Sequence, residues 1–191
     1  MPVLPIWRHL VSHCCLILVT LVSCLLLWST PSALAGLNDD KYDGNIFVIY
    51  AGNGSLVPPR VSLAEAMKRQ RPALLVFYLD DSSDCKQYSI VVSRLQGPYG
   101  RVAAFIPVNI DTLSPPDTYT SAEPGYYYQG LVPQTVLIDQ QGKVVLNETG
   151  ELTYEQVDDV FREIFDLLPR AKSVQLKRRV INEINTQLSE N

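Results

Sequence analysis

Seven apolar residues in a row, Ala73 to Leu79, run straight into Asp80-Asp81-Ser82-Ser83-Asp84, and no other stretch limits the possible folds as tightly. An apolar run with Pro72 before it and a polar cluster after it reads as a central strand buried on both faces. The cluster is dense in N-cap residues, and Tyr88, Val91, Val92 and Leu95 follow at helical spacing. A buried strand feeding a helix with no linker implies a layered α/β fold.

The flanking segments extend that unit. Ile46-Phe47-Val48-Ile49-Tyr50, β-branched and aromatic and closed by Gly52-Asn53-Gly54, predicts a short strand. Ser62-Leu63-Ala64-Glu65 is a helix-start signature and predicts a helix from Leu63 to about Gln70. Gly97-Pro98 is expected to end the helix that starts near Ser82. Val102 to Ile110 reads as another strand, where Pro107 marks a bulge or an edge because it cannot donate to a ladder. Asp111 to Gln129, rich in Pro and Tyr, reads as a loop. Thr135-Val136-Leu137-Ile138 and Lys143-Val144-Val145-Leu146 predict a hairpin around Asp139-Gln140-Gln141-Gly142. Thr153-Tyr154-Glu155-Gln156 opens a helix with Val157, Val160, Phe161, Ile164, Phe165 and Leu168 on one face, stopped by Pro169. A last amphipathic helix is expected from Ser173 to Leu188. The sum is a mixed central sheet flanked by helices.

The N-terminal 35 residues have another character. Arg8 and His9 precede an almost unbroken apolar run from Leu10 to Trp28, and Ala33-Leu34-Ala35 fits a small-x-small cleavage site before Gly36. The run also approaches the ~20 residues that cross a bilayer, so residues 1–35 are expected to be a signal peptide or a membrane anchor. Leu21-Val22-Ser23-Cys24 additionally matches a lipoprotein box. Each reading exports the folded part, expected as a domain over 36–170 with an appended helix over 171–191. The net charge is −4, and of the sixteen Lys and Arg residues only Arg8 precedes Gly36, which excludes an electrostatic case for nucleic acid. Cys14, Cys15 and Cys24 lie in the apolar run, leaving Cys85 alone in the folded part. One thiol forms no internal disulfide and no multi-cysteine metal site, and no cofactor is expected.

In register, these features resemble the thioredoxin family over about Ile46 to Leu168. Phe77-Tyr78 leads into Ser82-Ser83-Asp84-Cys85-Lys86, where the family has Cys-Gly-Pro-Cys-Lys. Leu131-Val132-Pro133 stands where the family has an aliphatic residue and a cis-proline, so the resemblance implies a cis Val132–Pro133 bond. The stretch from Pro133 to Lys143 has the spacing of exported, membrane-tethered members, and Gly150 precedes the closing helix. The departures bear on chemistry. The family's attacking cysteine is Ser82 here, and the buried carboxylate six residues earlier is Val76. Asp81 and Asp84 replace an aromatic residue and a proline, and their charges oppose formation of a nearby thiolate. Dithiol catalysis is not expected of Ser82, Ser83, Asp84 and Cys85. Within the family the chain is similar to a cyanobacterial group, the photosystem I accumulation factors of the thylakoid membrane. Asp80 to Tyr88, Pro107 to Asp111 and Pro124 to Thr135 carry that similarity. It implies a place on the lumenal side of the thylakoid membrane, a role in photosystem I assembly, and photosystem I subunits or assembly factors as partners.

Each singled-out residue has a plainer reading beside the functional one. Cys85 is a small hydrophobe at a helix base or the thiol of a single-thiol oxidoreductase or thiol-transfer protein. Ser82 and Ser83 read as N-caps. Asp80, Asp81, Asp84 and Asp111 are a solvated helix start or ligands for a hard cation. Val132 and Pro133 border the groove in which the family holds an extended peptide, and Tyr126, Tyr127 and Tyr128 supply aromatic contacts there or serve the core. Arg170, Lys172, Lys177, Arg178 and Arg179 are a solvated face or touch an anionic membrane. The remaining alternative is a passive exported scaffold unrelated to photosynthesis.

Overall fold

The computed structural model describes residues 4–28, 36–115 and 119–173, with side chains in the first segment given for 11–25. The chain divides into two units, Met1–Ala35 and Gly36–Asn191. In the first, Leu4–Trp28 forms one helix, α1. Among the described residues no helix is long and apolar enough to cross a membrane. The expected helix from Ser173 to Leu188 lies, after Ser173 itself, outside the described residues.

The second unit is built on β1, Ala73–Tyr78, whose six side chains are all buried. Its parallel neighbour is β2, Ala104–Asn109, and its antiparallel neighbour is β3, Gln134–Ile138. β3 pairs antiparallel with β4, Val144–Thr149, which gives the order β2-β1-β3-β4. Period-2 alternation sends the β1 side chains into two apolar layers. Leu74, Val76 and Tyr78 meet Tyr88, Val92 and Leu95 of α4, Ser83–Tyr99, and Val157 and Phe161 of α5, Tyr154–Ile164. Leu75 and Phe77 meet Leu63 and Ala66 of α3, Leu63–Lys68, on the other face. At roughly 1.5–3 kcal/mol for each fully buried large apolar side chain, these layers dominate the stabilisation and fix β1 at the centre. The result is the expected α/β architecture, a mixed sheet with helices on both faces.

Local chemistry sets the helix starts. Ser82 caps α4, and at α5 the Thr153 hydroxyl accepts the Gln156 N–H at 3.2 Å while the Gln156 side chain accepts the Thr153 N–H at 2.8 Å. Pro107 falls on β2, an edge strand, where a missing N–H is tolerated.

Three expectations are corrected. Ile46–Ile49 is a helical turn, α2, and not a strand. Its β-branched composition is overridden by fixed acceptors: Asn45 accepts the Phe47 N–H at 3.1 Å, and Asp80 accepts the Ile46 N–H at 3.0 Å. Gly97-Pro98 does not end α4, which continues to Tyr99 with Pro98 inside it. Stacking of Tyr99 on Phe161, with centroids 4.3 Å apart, holds that last turn. α5 ends at Ile164, before Leu168, because Asp166 turns left-handed at φ 51° and Leu168 is left exposed.

Candidate functional site

The C-terminal end of β1 delivers the chain to the start of α4, where the redox motif is expected. The Ser82 hydroxyl accepts the Cys85 N–H at 3.3 Å, so the residue in the nucleophile's position serves as the helix cap. Ser83 is the first helical residue and not a second cap, and its N–H donates to Asp40 Oδ1 at 2.8 Å. Cys85 is 1% exposed and packs with Val76, Tyr78 and Tyr88. Burial pushes its thiol pKa up, contacts with Ser82 and Leu79 pull it back in part, and the charges of Asp84 and Asp81 push it up again. A buried thiol held in its neutral form is a poor nucleophile.

The carboxylates divide by what they touch. Asp80 is a structural acceptor, taking the Ile46 N–H through Oδ1 and the Asn109 side-chain amide through Oδ2 at 2.9 Å. Burial raises its pKa, and the charges of Asp111 and Asp81 add to that rise against the two hydrogen bonds. Among the described residues no three His, Cys, Asp or Glu side chains come together in a metal-binding group.

The residue sequence reasoning passed over is Lys86. Its side chain is 0% exposed, and Nζ lies within hydrogen-bond reach of five oxygens. These are the carbonyls of Gly36 (3.2 Å), Asp39 (2.8 Å) and Lys41 (2.7 Å) and the carboxylates of Asp39 (3.1 Å) and Asp43 (3.0 Å). Burial alone would lower the ammonium pKa, but the Asp43 and Asp39 carboxylates outweigh it and drive the pKa up. Asp43 also accepts the Tyr50 hydroxyl at 2.5 Å, and its own pKa is lowered by that bond first and by Lys86 second. Residues 36–43 are thereby strapped to the first turn of α4.

The other side of the site is formed by Val132 and Pro133, joined by a cis peptide bond as expected. Pro133 is buried, and its carbonyl accepts the Gly150 N–H at 2.7 Å. Gly150 adopts φ +93°, a conformation that favours glycine. The buried Gln134 side chain ties the preceding loop down, with Nε2 donating to Tyr127 O and Asn147 Oδ1, each at 2.8 Å, and Oε1 accepting the Gln129 N–H at 2.9 Å. The three tyrosines separate. Tyr128 packs on Phe77 with centroids 5.3 Å apart, and the Tyr127 hydroxyl donates to Ser121 O at 2.7 Å. Tyr126 is 58% exposed and Leu131 63% exposed. Close packing shapes the loop too: a Cβ on Gly125 would meet the Tyr119 ring at 2.3 Å. Of the basic residues near the C-terminus, Arg170 is tied to Asp158 and Asp159, each at 2.9 Å, while Lys177, Arg178 and Arg179 lie outside the described residues.

No family model matches the chain. It is 57% identical over 157 residues, 82% of this chain and 78% of the other, to thylakoid membrane protein slr1796 of Synechocystis sp.. A solved thioredoxin of Fasciola hepatica aligns with 52% of this chain and 89% of its own length, at 19% identity and TM-score 0.41. A malarial protein aligns with 49% and 97%, at 13% identity and TM-score 0.40. The strand order, the helix springing from β1 and the cis-proline before β3 are those of a thioredoxin-like fold, and the chain belongs to the family of thylakoid membrane protein slr1796.

Proposed function

We propose that the protein is a non-catalytic thioredoxin-like factor that supports photosystem I accumulation from the lumenal side of the thylakoid membrane by binding a client segment beside Val132–Pro133. One observation carries this reading: the sulfur of the site is buried, while the loop that runs into the cis-proline presents exposed apolar and aromatic side chains. Cys85 is buried behind a Ser82 cap, and Leu131, two residues before Pro133, and Tyr126, in the preceding loop, stand exposed. An extended segment adds to such an edge through backbone hydrogen bonds, which need no thiol. Residues 1–35 act as the export or anchoring segment, and the relative's thylakoid membrane name supports that destination. The partners are photosystem I subunits or their assembly factors, in keeping with the resemblance of the site-flanking segments to the cyanobacterial accumulation factors.

The test is Leu131→Asp in a cyanobacterium whose own copy has been deleted. Leu131 is exposed, so the stability change should stay within about 0.5 kcal/mol. The expected outcome is a lowered ratio of photosystem I to photosystem II at normal levels of the variant. A normal ratio overturns the groove, and insulin reduction by the purified wild-type protein with dithiol-type turnover overturns the non-catalytic assignment.

A further inference from the structure

At the opposite end of β1 from the Ser82 position, a pocket of about 290 Å³ opens between the last turn of α4, the start of β2 and the 55–61 loop. Three arginines line it, Arg60, Arg71 and Arg101, and no carboxylate does. In a chain of net charge −4 that is an unusual local balance.

The arginines elsewhere in the fold show the contrast. Arg69 pairs with Glu65, Arg162 with Asp158, and Arg170 with Asp158 and Asp159, while Arg94 lies over the Tyr154 ring, 5.2 Å from its centroid. In the pocket, Arg71 Nη2 donates to the carbonyls of Gly100 (2.9 Å) and Ala103 (2.8 Å), which fixes the guanidinium in place without neutralising it. Its Nε is buried with no partner among the described residues. Arg60 and Arg101 are exposed at the mouth, and neither forms an ion pair among the described residues. Among the described residues, one pinned and two unpaired guanidinium groups around one cavity form a cationic field with no carboxylate in its lining, focused by the low-dielectric walls.

Guanidinium forks match the oxygens of phosphate and sulfonate groups, and a cavity of this size sits at the lower end of small-molecule sites. We propose that the pocket binds a phosphate- or sulfonate-type oxyanion carrying a small polar substituent, either a soluble ester or the headgroup of an anionic lipid. This site is independent of the groove beside Pro133.

The experiment uses the full chain in neutral detergent at fixed ionic strength. Inorganic phosphate, glycerol phosphate and short-chain phosphatidylglycerol are titrated by calorimetry and by thermal unfolding, with short-chain phosphatidylcholine as the zwitterionic control. The expected result is single-site binding of glycerol phosphate that raises Tm. Its affinity should weaken at least tenfold in the Arg60→Gln/Arg101→Gln variant and less than twofold in Lys68→Gln/Arg69→Gln, which removes equal charge elsewhere. Phosphatidylglycerol binding more than tenfold tighter than glycerol phosphate assigns a lipid headgroup, and comparable binding assigns a soluble ester. No binding of any of these anions, or equal affinity in the Arg60/Arg101 variant, overturns the proposal. Should the double variant fail to fold, Arg101→Gln alone carries the same comparison.

Discussion

The two sides of the site have been treated differently. At the start of α4, the residues at the family's motif positions have structural jobs: Ser82 caps, Cys85 packs, and Lys86 holds the strap. Across from it, the cis-proline, the glycine that accommodates its carbonyl contact and the exposed Leu131 remain. The difference teaches that a backbone-made binding edge and a sulfur-made reaction centre can be separated within one fold, because they depend on different atoms.

The comparison breaks most visibly at Lys86. Lys86→Met leaves Asp39, Asp43 and three carbonyls without their cation, and removing one partner from a buried pair is strongly destabilising. The expected result is a fall in Tm on the order of 10 °C, with faster hydrogen exchange over residues 36–45 and unchanged exchange around Gln134. Equal acceleration on both sides would mean that the two halves open together. Acid probes the same strap. The Asp43 pKa lies below its ordinary value of 3.8, so this contribution is complete above about pH 5 and is lost as pH falls through the lowered value. Exchange protection of residues 36–45 should therefore be flat from pH 7 to about 5, weaken below that, and be lost once pH falls below the lowered Asp43 value.

The tyrosines give the next largest contrast. Tyr128→Ala removes the ring packed on Phe77 and should cost about 3 kcal/mol in denaturant unfolding. Tyr126→Ala, at an exposed position, should stay within about 0.5 kcal/mol yet lower the ratio of photosystem I to photosystem II. A normal ratio with Tyr126→Ala would confine the client to Leu131 and the cis-proline edge. The smallest effect in cells is expected at sulfur. Cys85→Ala should cost roughly 1 kcal/mol for the lost buried side chain and leave photosystem I unchanged. A phenotype equal to deletion, at normal protein levels, would instead establish a thiol function.

Legibility in the sequence followed the range of the interactions. β1, the α4 cap, the hairpin and the α5 start were readable because each rests on contiguous residues whose spacing carries the signal. Ile46–Ile49 was not, because its helical turn is imposed by Asp80, 34 residues away. Pro98 misled for a related reason: the stop it signals locally is overruled by Tyr99 packing on α5. The parts played by Tyr126, Tyr127 and Tyr128 could not be separated either. They sit in a 3₁₀ turn, Pro124–Tyr127, and its exit, where no strand or helix period tells inside from outside. Lys86 was legible only as a residue of the family motif, since its partners are set by tertiary folding.

The Lys86 cage also bears on the order in which the chain takes shape. Gly36 is among the first residues of the folded unit to leave the ribosome, and the ammonium that fixes it lies 50 positions later. Until Lys86 emerges and α4 forms, the five oxygens of residues 36–43 that it gathers have no cation between them. In the finished fold that same segment is held as a chelating loop holds an ion. Here the ion is covalently part of the protein, so a chelator has nothing to strip and the loop closes without drawing on any supply of metal.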